Sequence, residues 1–454
     1  MAETTRQRLP IITKLAFGAG DMGPAIVTNI NGFFLNAFLL QVARLEPVSV
    51  GIIFLVAKIW DSINDPIFGW LTDHTPTRWG RRRPWLLFGA IPFGLAFWMH
   101  WLVPPLGDVG KFWYYLVVAI LLDTGFTAVN VPYTALTAEL TPDYDERTSL
   151  NTYRFGFSII SSVIAAVLHL QIVSAIGDPV MGNAISAGVW AFFIIIPSFI
   201  TFAFTKETHF KQSEENEIPF IEGLKTAFSN RAFVMVTLIY LLSWLCIQFV
   251  QNNLYLYVQY WIGPEAAKMF SILVMGVQLA AFVFIVIWAK VSEKIGKQGV
   301  YYVGMAFWVL VEIALFFIPR GEASINLLYI IAPLAGVGVA VGYLIPWSML
   351  PDVIELDELE TGQRREGTFY GFFVLLQKLG ISIGIAFSNF ALAAAGYNAE
   401  LAAQPDSVLT TLRVFISLVP AVILLLSFLV VRVYPITRAK HAEIRAQLAA
   451  RNAK

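Results

Sequence analysis

Cysteine is almost absent from this chain: Cys246 stands alone among 454 residues, so no intrachain disulfide can form. Histidine is nearly as scarce, and His74, His100, His169, His209 and His441 are scattered without the spacing that a zinc-type site needs. No cofactor is therefore expected. Charge is thin too, at 14% of residues against 57% hydrophobic, and mean hydropathy is +0.67. A soluble chain of this length cannot be so apolar, which excludes that class. The net charge is zero, which by itself says nothing about partners; no nucleic-acid partner is expected. The opening residues, polar and then directly helical, carry no signal-peptide pattern.

What is abundant is long apolar runs. Segments near 15–43, 49–72, 84–103, 111–138, 150–175, 183–205, 231–260, 267–290, 298–318, 325–349, 366–396 and 408–433 each reach the length of about 20 residues that crosses a bilayer. The chain reads as an all-α membrane protein with twelve transmembrane helices and the lipid bilayer as a partner. Most of its 31 Lys and Arg fall on one side if the first residues are placed in the cytoplasm. That side holds Arg6, Arg8 and Lys14, then Arg78 to Arg83, the middle loop, and Arg438, Lys440 and Arg445. Both termini are thus expected in the cytoplasm of a multi-pass protein of the plasma membrane, which in a bacterium is the cell inner membrane.

The longest polar connection, about 206–230, separates an N-terminal six-helix bundle at 1–205 from a C-terminal one at 231–433, followed by a cytoplasmic tail at 434–454. The halves repeat. Val131-Pro132-Tyr133-Thr134 in the fourth span is echoed by Ile345-Pro346-Trp347-Ser348 in the tenth, and both lead into acidic loops opening with Pro-Asp. Two parallel six-helix repeats are the major facilitator architecture. Gly69 and Asp73, followed by Gly80-Arg81-Arg82, resemble that superfamily's signature between spans two and three.

Within the second span lies Lys58-Ile59-Trp60-Asp61-Ser62-Ile63-Asn64-Asp65-Pro66. Asp61 and Asp65 are one helical turn apart and Lys58 precedes Asp61 by three, so all three project from one helix face. Ionisable groups at membrane depth mark function by default, and that face must look into protein or a water-filled cavity. Oxygen ligands so arranged, with the Asn64 carbonyl beside them, suit a small hard cation. A structural pair of Lys58 with Asp61 is the alternative, and Asp123 in the fourth span has no assigned role.

This run, with Arg78-Trp79-Gly80-Arg81-Arg82-Arg83-Pro84-Trp85, Asn130-Val131-Pro132-Tyr133 and Glu146-Arg147, resembles the glycoside-pentoside-hexuronide:cation symporter family. The resemblance implies a cation-coupled secondary symporter of a sugar-like small-molecule solute working by alternating access, not an enzyme. It implies a coupling-cation site at Asp61, Asn64, Asp65 and Thr127, with sodium as the cation, although a carboxylate pair serves protons as well. It implies solute contacts at Asn130, Arg154, Tyr343 and Lys378. The family's first-span Asp aligns with about Ala25, and Asp21, one turn earlier within Gly18-Ala19-Gly20-Asp21-Met22-Gly23-Pro24, is its expected substitute.

Charges flanking the spans are expected to gate access. Asp73, Arg81, Arg147, Asp352 and Arg365 are the candidate latch residues, because acidic segments after spans four and ten recur beside basic loops after spans two and eight. Gln248, Asn252, Tyr255 and Gln259 form a polar stripe on the seventh span, read either as channel lining or as interhelical hydrogen bonding. Val131-Pro132-Tyr133-Thr134-Ala135-Leu136-Thr137 and the stretch from Gly32 to Pro47 also resemble animal sodium-dependent lysophospholipid symporters. An apolar lateral slot beside a charged site is the feature expected to separate that cargo from a sugar. A membrane sensor that binds ligand without moving it is a further alternative.

Overall fold

The computed structural model describes residues 9–141, 143–207, 220–363 and 365–452. Residues 208–219 of the expected middle loop, with His209, and Pro142 of the fourth-span repeat lie outside the described residues. Every regular element among the described residues is helical. Helices satisfy their own backbone polar groups, which is what lets a chain this apolar cross lipid.

Among the described residues, nine helices are long and apolar enough to span a membrane by length and composition. One of them, α11 (Phe270–Phe316), runs for 47 residues and is broken at Gly296, whose φ of 77° no helix contains. Gly296 therefore joins two spans. The first span is a composite of α1 (Ile11–Ala19), α2 (Met22–Ile30) and two π-helical turns, Asn31–Leu35 and Phe38–Val42. With α4 (Arg83–His100), these complete the twelve expected helices.

The helices fall into two compact units that divide between residues 214 and 215. In the first, α3 (Pro47–Asp73) lies against α5 (Asp108–Leu140), α4 packs between α5 and α7 (Pro179–Phe204), and α6 (Tyr144–Ile176) packs on α1, α2 and α7. Local chemistry sets the helix starts. Asp143 accepts from the Glu146 amide at 3.0 Å and Asp178 from the Met181 amide at 2.8 Å, so each caps donors that lack an intrahelical partner. The α1–α2 break falls where Gly and Pro cluster, leaving Asp21 at the junction.

In the second unit, α8 (Phe220–Ser229) leads into α9 (Arg231–Tyr257), and a short π turn and α10 (Pro264–Lys268) lead on to α11. α9 packs on α12 (Ile325–Thr361), α13 (Glu366–Ala394) and α15 (Leu418–Val433), with α14 (Asp406–Phe415) just before α15. Phe233, Tyr240, Tyr301 and Trp308 are buried in this core. The final helix, α16 (Arg438–Asn452), has a charged outer face but sinks Ile444 and Leu448 into the same core.

Candidate functional site

The α3–α5 contact gathers the intramembrane charges. Thr127 Oγ1 lies 3.0 Å from Asp65 Oδ1 and 3.4 Å from Asp61 Oδ1, so one hydroxyl sits between the two carboxylates. A hydroxyl has a single proton to give, and its lone pairs remain available to a cation. Asp61, Asn64 and Thr127 are all buried. Asn64 Nδ2 donates to the main-chain oxygen of Asp123 at 3.3 Å, which commits the nitrogen end of the amide and orients its oxygen. Among the described residues no three His, Cys, Asp or Glu side chains gather to hold a metal ion. Two carboxylates supplemented by a hydroxyl and an amide oxygen fit a weakly held hard cation better than a transition metal.

Lys58 does more than the sequence suggested. Its Nζ is 3.3 Å from Asp61 Oδ2, the pairing considered as an alternative, and only 2.9 Å from Asp123 Oδ1. Asp123 is thus part of the cluster. The available signal was spacing: Asp123, Thr127 and Asn130 recur at four and three residues along α5, one face of a helix.

Of the expected solute residues, the structure brings Asp21 and Arg154 together. Arg154 Nε lies 3.1 Å from Asp21 Oδ1, and the guanidinium stands over the rings of Tyr133 at 5.4 Å and Phe155 at 5.7 Å. Tyr133 is itself fixed by donating its hydroxyl to the Phe17 carbonyl at 2.7 Å. Asn130 is half-buried on α5. Beside the ion pair runs an apolar groove of about 470 Å³ between α2, α6 and α7, lined by Met22, Ile26, Tyr153, Gly156, Ile160 and Trp190 among others. Met22 directly follows Asp21 and Tyr153 directly precedes Arg154, so the groove adjoins the charges.

Tyr343 and Lys378 belong to the second unit. The Tyr343 ring lies 5.2 Å from that of Trp244, and the neighbouring Trp347 donates its indole N–H to Tyr240 Oη at 2.9 Å. Lys378 is half-buried on α13. Along the α9 stripe, Asn252 is buried and Tyr255 packs edge-on against Phe270. A further polar tie on α9 is one the sequence did not single out: Asn253 and Ser388 of α13 exchange hydrogen bonds at 2.7 and 2.9 Å.

The expected latch residues are each engaged inside their own unit. Arg81 donates from Nε and Nη2 to Glu139 Oε1 at 2.8 and 2.6 Å, and both Arg81 and Arg82 pair with Asp73. Arg147 caps carbonyls at the end of α5, donating to Thr141 O at 2.9 Å. In the second unit Lys297 holds both oxygens of Asp352 at 2.8 and 2.7 Å, and Arg365 grips Asp357 bidentately at 2.9 and 2.7 Å. Glu139 and Glu207 were missed by the sequence. Glu207 accepts the backbone N–H groups of Arg81, Arg82 and Arg83 at 2.8, 2.8 and 2.9 Å, capping the start of α4.

Residues 16–438 match the family model described as MFS/sugar transport protein. The chain belongs to this family. It is the glycoside-pentoside-hexuronide:cation group of the major facilitator superfamily, as the motifs led one to expect. The chain is 37% identical to the uncharacterized symporter sll1374 of Synechocystis sp., over 98% of each chain. It is 28% identical to the sodium-dependent lysophosphatidylcholine symporter 1-A of Danio rerio, over 98% of this chain and 90% of that one. Among solved structures it resembles the nucleoside transporter NupG, with a TM-score of 0.66 at 14% identity over 94% and 99% of the two chains. A bacterial homolog of the human lysosomal transporter Spinster, inward-facing and unoccupied, gives a TM-score of 0.66 at 14% identity over 93% and 96%. Members of the family so matched are transporters and not enzymes, and this chain is a multi-pass secondary transporter that takes a small-molecule solute and a coupling cation.

Proposed function

We propose that the protein is a sodium-coupled symporter whose solute is a lysophospholipid-like amphiphile. The observation that carries this is the apolar groove of about 470 Å³ adjoining the Asp21–Arg154 pair. A solute with a zwitterionic headgroup and one acyl chain meets both features at once. Its phosphate pairs with the Arg154 guanidinium, its cationic end lies towards Asp21, and its chain fills the groove. A single chain is worth roughly 0.8 kcal/mol per buried methylene, so an apolar slot adds more affinity for such a solute than for a sugar. Relatives named as sodium-dependent lysophosphatidylcholine symporters and as a sphingosine-1-phosphate transporter support the same class.

Coupling is proposed to run through Asp61, Asn64, Asp65 and Thr127, with both termini in the cytoplasm. A cation there and the solute raise each other's affinity by the same factor, because linkage is reciprocal. Arg81 with Asp73, Arg147, Lys297 with Asp352, and Arg365 then serve as charge pairs that exchange as access alternates.

A glycoside is the second reading, favoured by Asn130, half-buried on α5, whose side-chain amide can both donate to and accept from a sugar hydroxyl. Sodium entry into proteoliposomes separates the two. Entry triggered by lysophosphatidylcholine and not by methyl glycosides, glucuronides or pentosides is the expected result. Entry triggered by a glycoside alone transfers the cation site to a sugar symporter, and no entry with any of them overturns sodium coupling.

A further inference from the structure

Lys58 stands between two carboxylates, and the nearer one, Asp123, lies outside the proposed ligand set. Asp123 is nevertheless bound into that set from behind, because its main-chain oxygen accepts from Asn64 and Thr127 follows it by one turn of α5. The Lys58 side chain, 29% exposed, is less enclosed than that of Asp61, which is 6% exposed and held between Lys58 and Thr127. An ammonium in contact with Asp61 opposes any second cation at that carboxylate, since like charges a few ångström apart repel strongly outside bulk water.

We propose that Lys58 is a built-in competitor of the coupling cation, and that Asp123 is the holding partner to which it retreats when the cation enters between Asp61 and Asp65. The inference rests on the assignment of Asp61, Asn64, Asp65 and Thr127 as the cation site. Three carboxylates and one ammonium give the cluster a formal charge of −2, and a monovalent cation brings it to −1. The exchange means that Asp61 is never left unpaired: it gives up the ammonium only as it gains the ion. An uncompensated carboxylate at this depth would be strongly unfavourable, so the swap lowers the barrier to loading and unloading. Lys58 and Asp123 are on this view positioning residues. They set how tightly the cation is held, and touch the solute at no point.

Equilibrium binding of radioactive sodium to the purified full chain in detergent tests this without any choice of solute. Asp123→Asn leaves the ammonium with Asp61 as its sole carboxylate, and the half-saturating sodium concentration should rise roughly tenfold with the number of sites unchanged. Lys58→Gln should lower it, and the double variant Lys58→Gln/Asp123→Asn should return to within about threefold of the parent, because the two changes are coupled through one contact. Asp123→Glu should rescue. A complete but weaker isotherm distinguishes competition from misfolding, which instead removes sites. An unchanged isotherm for Asp123→Asn, or a double variant as weak as Asp123→Asn alone, overturns the proposal while leaving the cation site standing. Absence of sodium binding by the parent, or parent-like binding by Asp61→Asn, removes the cation site itself and the inference with it.

Discussion

A carboxylate placed at the right end of a helix does as much here as one placed in a cavity. Glu207 offers two oxygens to three consecutive amides at the start of α4, where unpaired N–H groups and the helix dipole both favour an anion. Gly80 makes the approach feasible. Its φ is 102°, and a Cβ built there would run into the Glu207 carboxylate. Gly80→Ala should therefore lose about 2 kcal/mol, from the left-handed backbone and from displacement of the cap together. A lowered thermal midpoint of the detergent-solubilised protein, with cation half-saturation unchanged, is the expected outcome. At this scale spacing placed Asp61 and Asp65 on one face, and the resemblance added Thr127, whose hydroxyl does lie between the two carboxylates. The sequence was silent where a partner lies far away in the chain. Glu139 carries no motif of its own, and nothing local says that Arg81 and Arg82 reach it from almost sixty residues earlier.

Among the elements, the apolar runs were legible because lipid permits little else: twelve runs near one span length give twelve helices. Interruptions within helices were harder to read. The break in α1–α2 followed from Gly and Pro around Asp21, but the π turns at Asn31–Leu35 and Phe38–Val42 have no comparable composition signal. The division of α11 falls in the charged stretch from Lys290 to Lys297, where the sequence placed a loop, yet helical hydrogen bonding runs almost through it. Gly296 turns the chain with φ at 77°, a conformation that costs other L-residues about 1 to 2 kcal/mol. Gly296→Ala should show that loss as a drop in thermal midpoint. It should also weaken the placement of Lys297, which follows directly and holds Asp352, so the loss should shrink when Asp352 is already replaced by Asn.

For the whole molecule, fold and family were readable from sequence, while the cargo was not. Spacing names the acids but cannot show an apolar groove, because its walls are ordinary membrane-helix residues from three elements. Gly156 gives a way to interrogate it. It lines the groove, and a Cβ added there meets nothing within 4 Å. Gly156→Phe should fill part of that space without disturbing the core. Uptake of a long-chain lysophosphatidylcholine should fall several-fold, that of a short-chain analogue should fall less, and sodium binding should stay as in the parent. Equal inhibition of both chain lengths would argue that the acyl chain lies elsewhere.

The Glu207 cap also orders the protein's birth. Residue 207 lies beyond the sixth span, while the amides it binds open the third, so α4 lacks its N-terminal anion until all six helices of the first unit have left the ribosome. An insertion intermediate cut short of that point would hold its early spans with the Arg81–Arg83 amides still bare. Completion of the first unit is in this sense registered chemically, by one carboxylate arriving last.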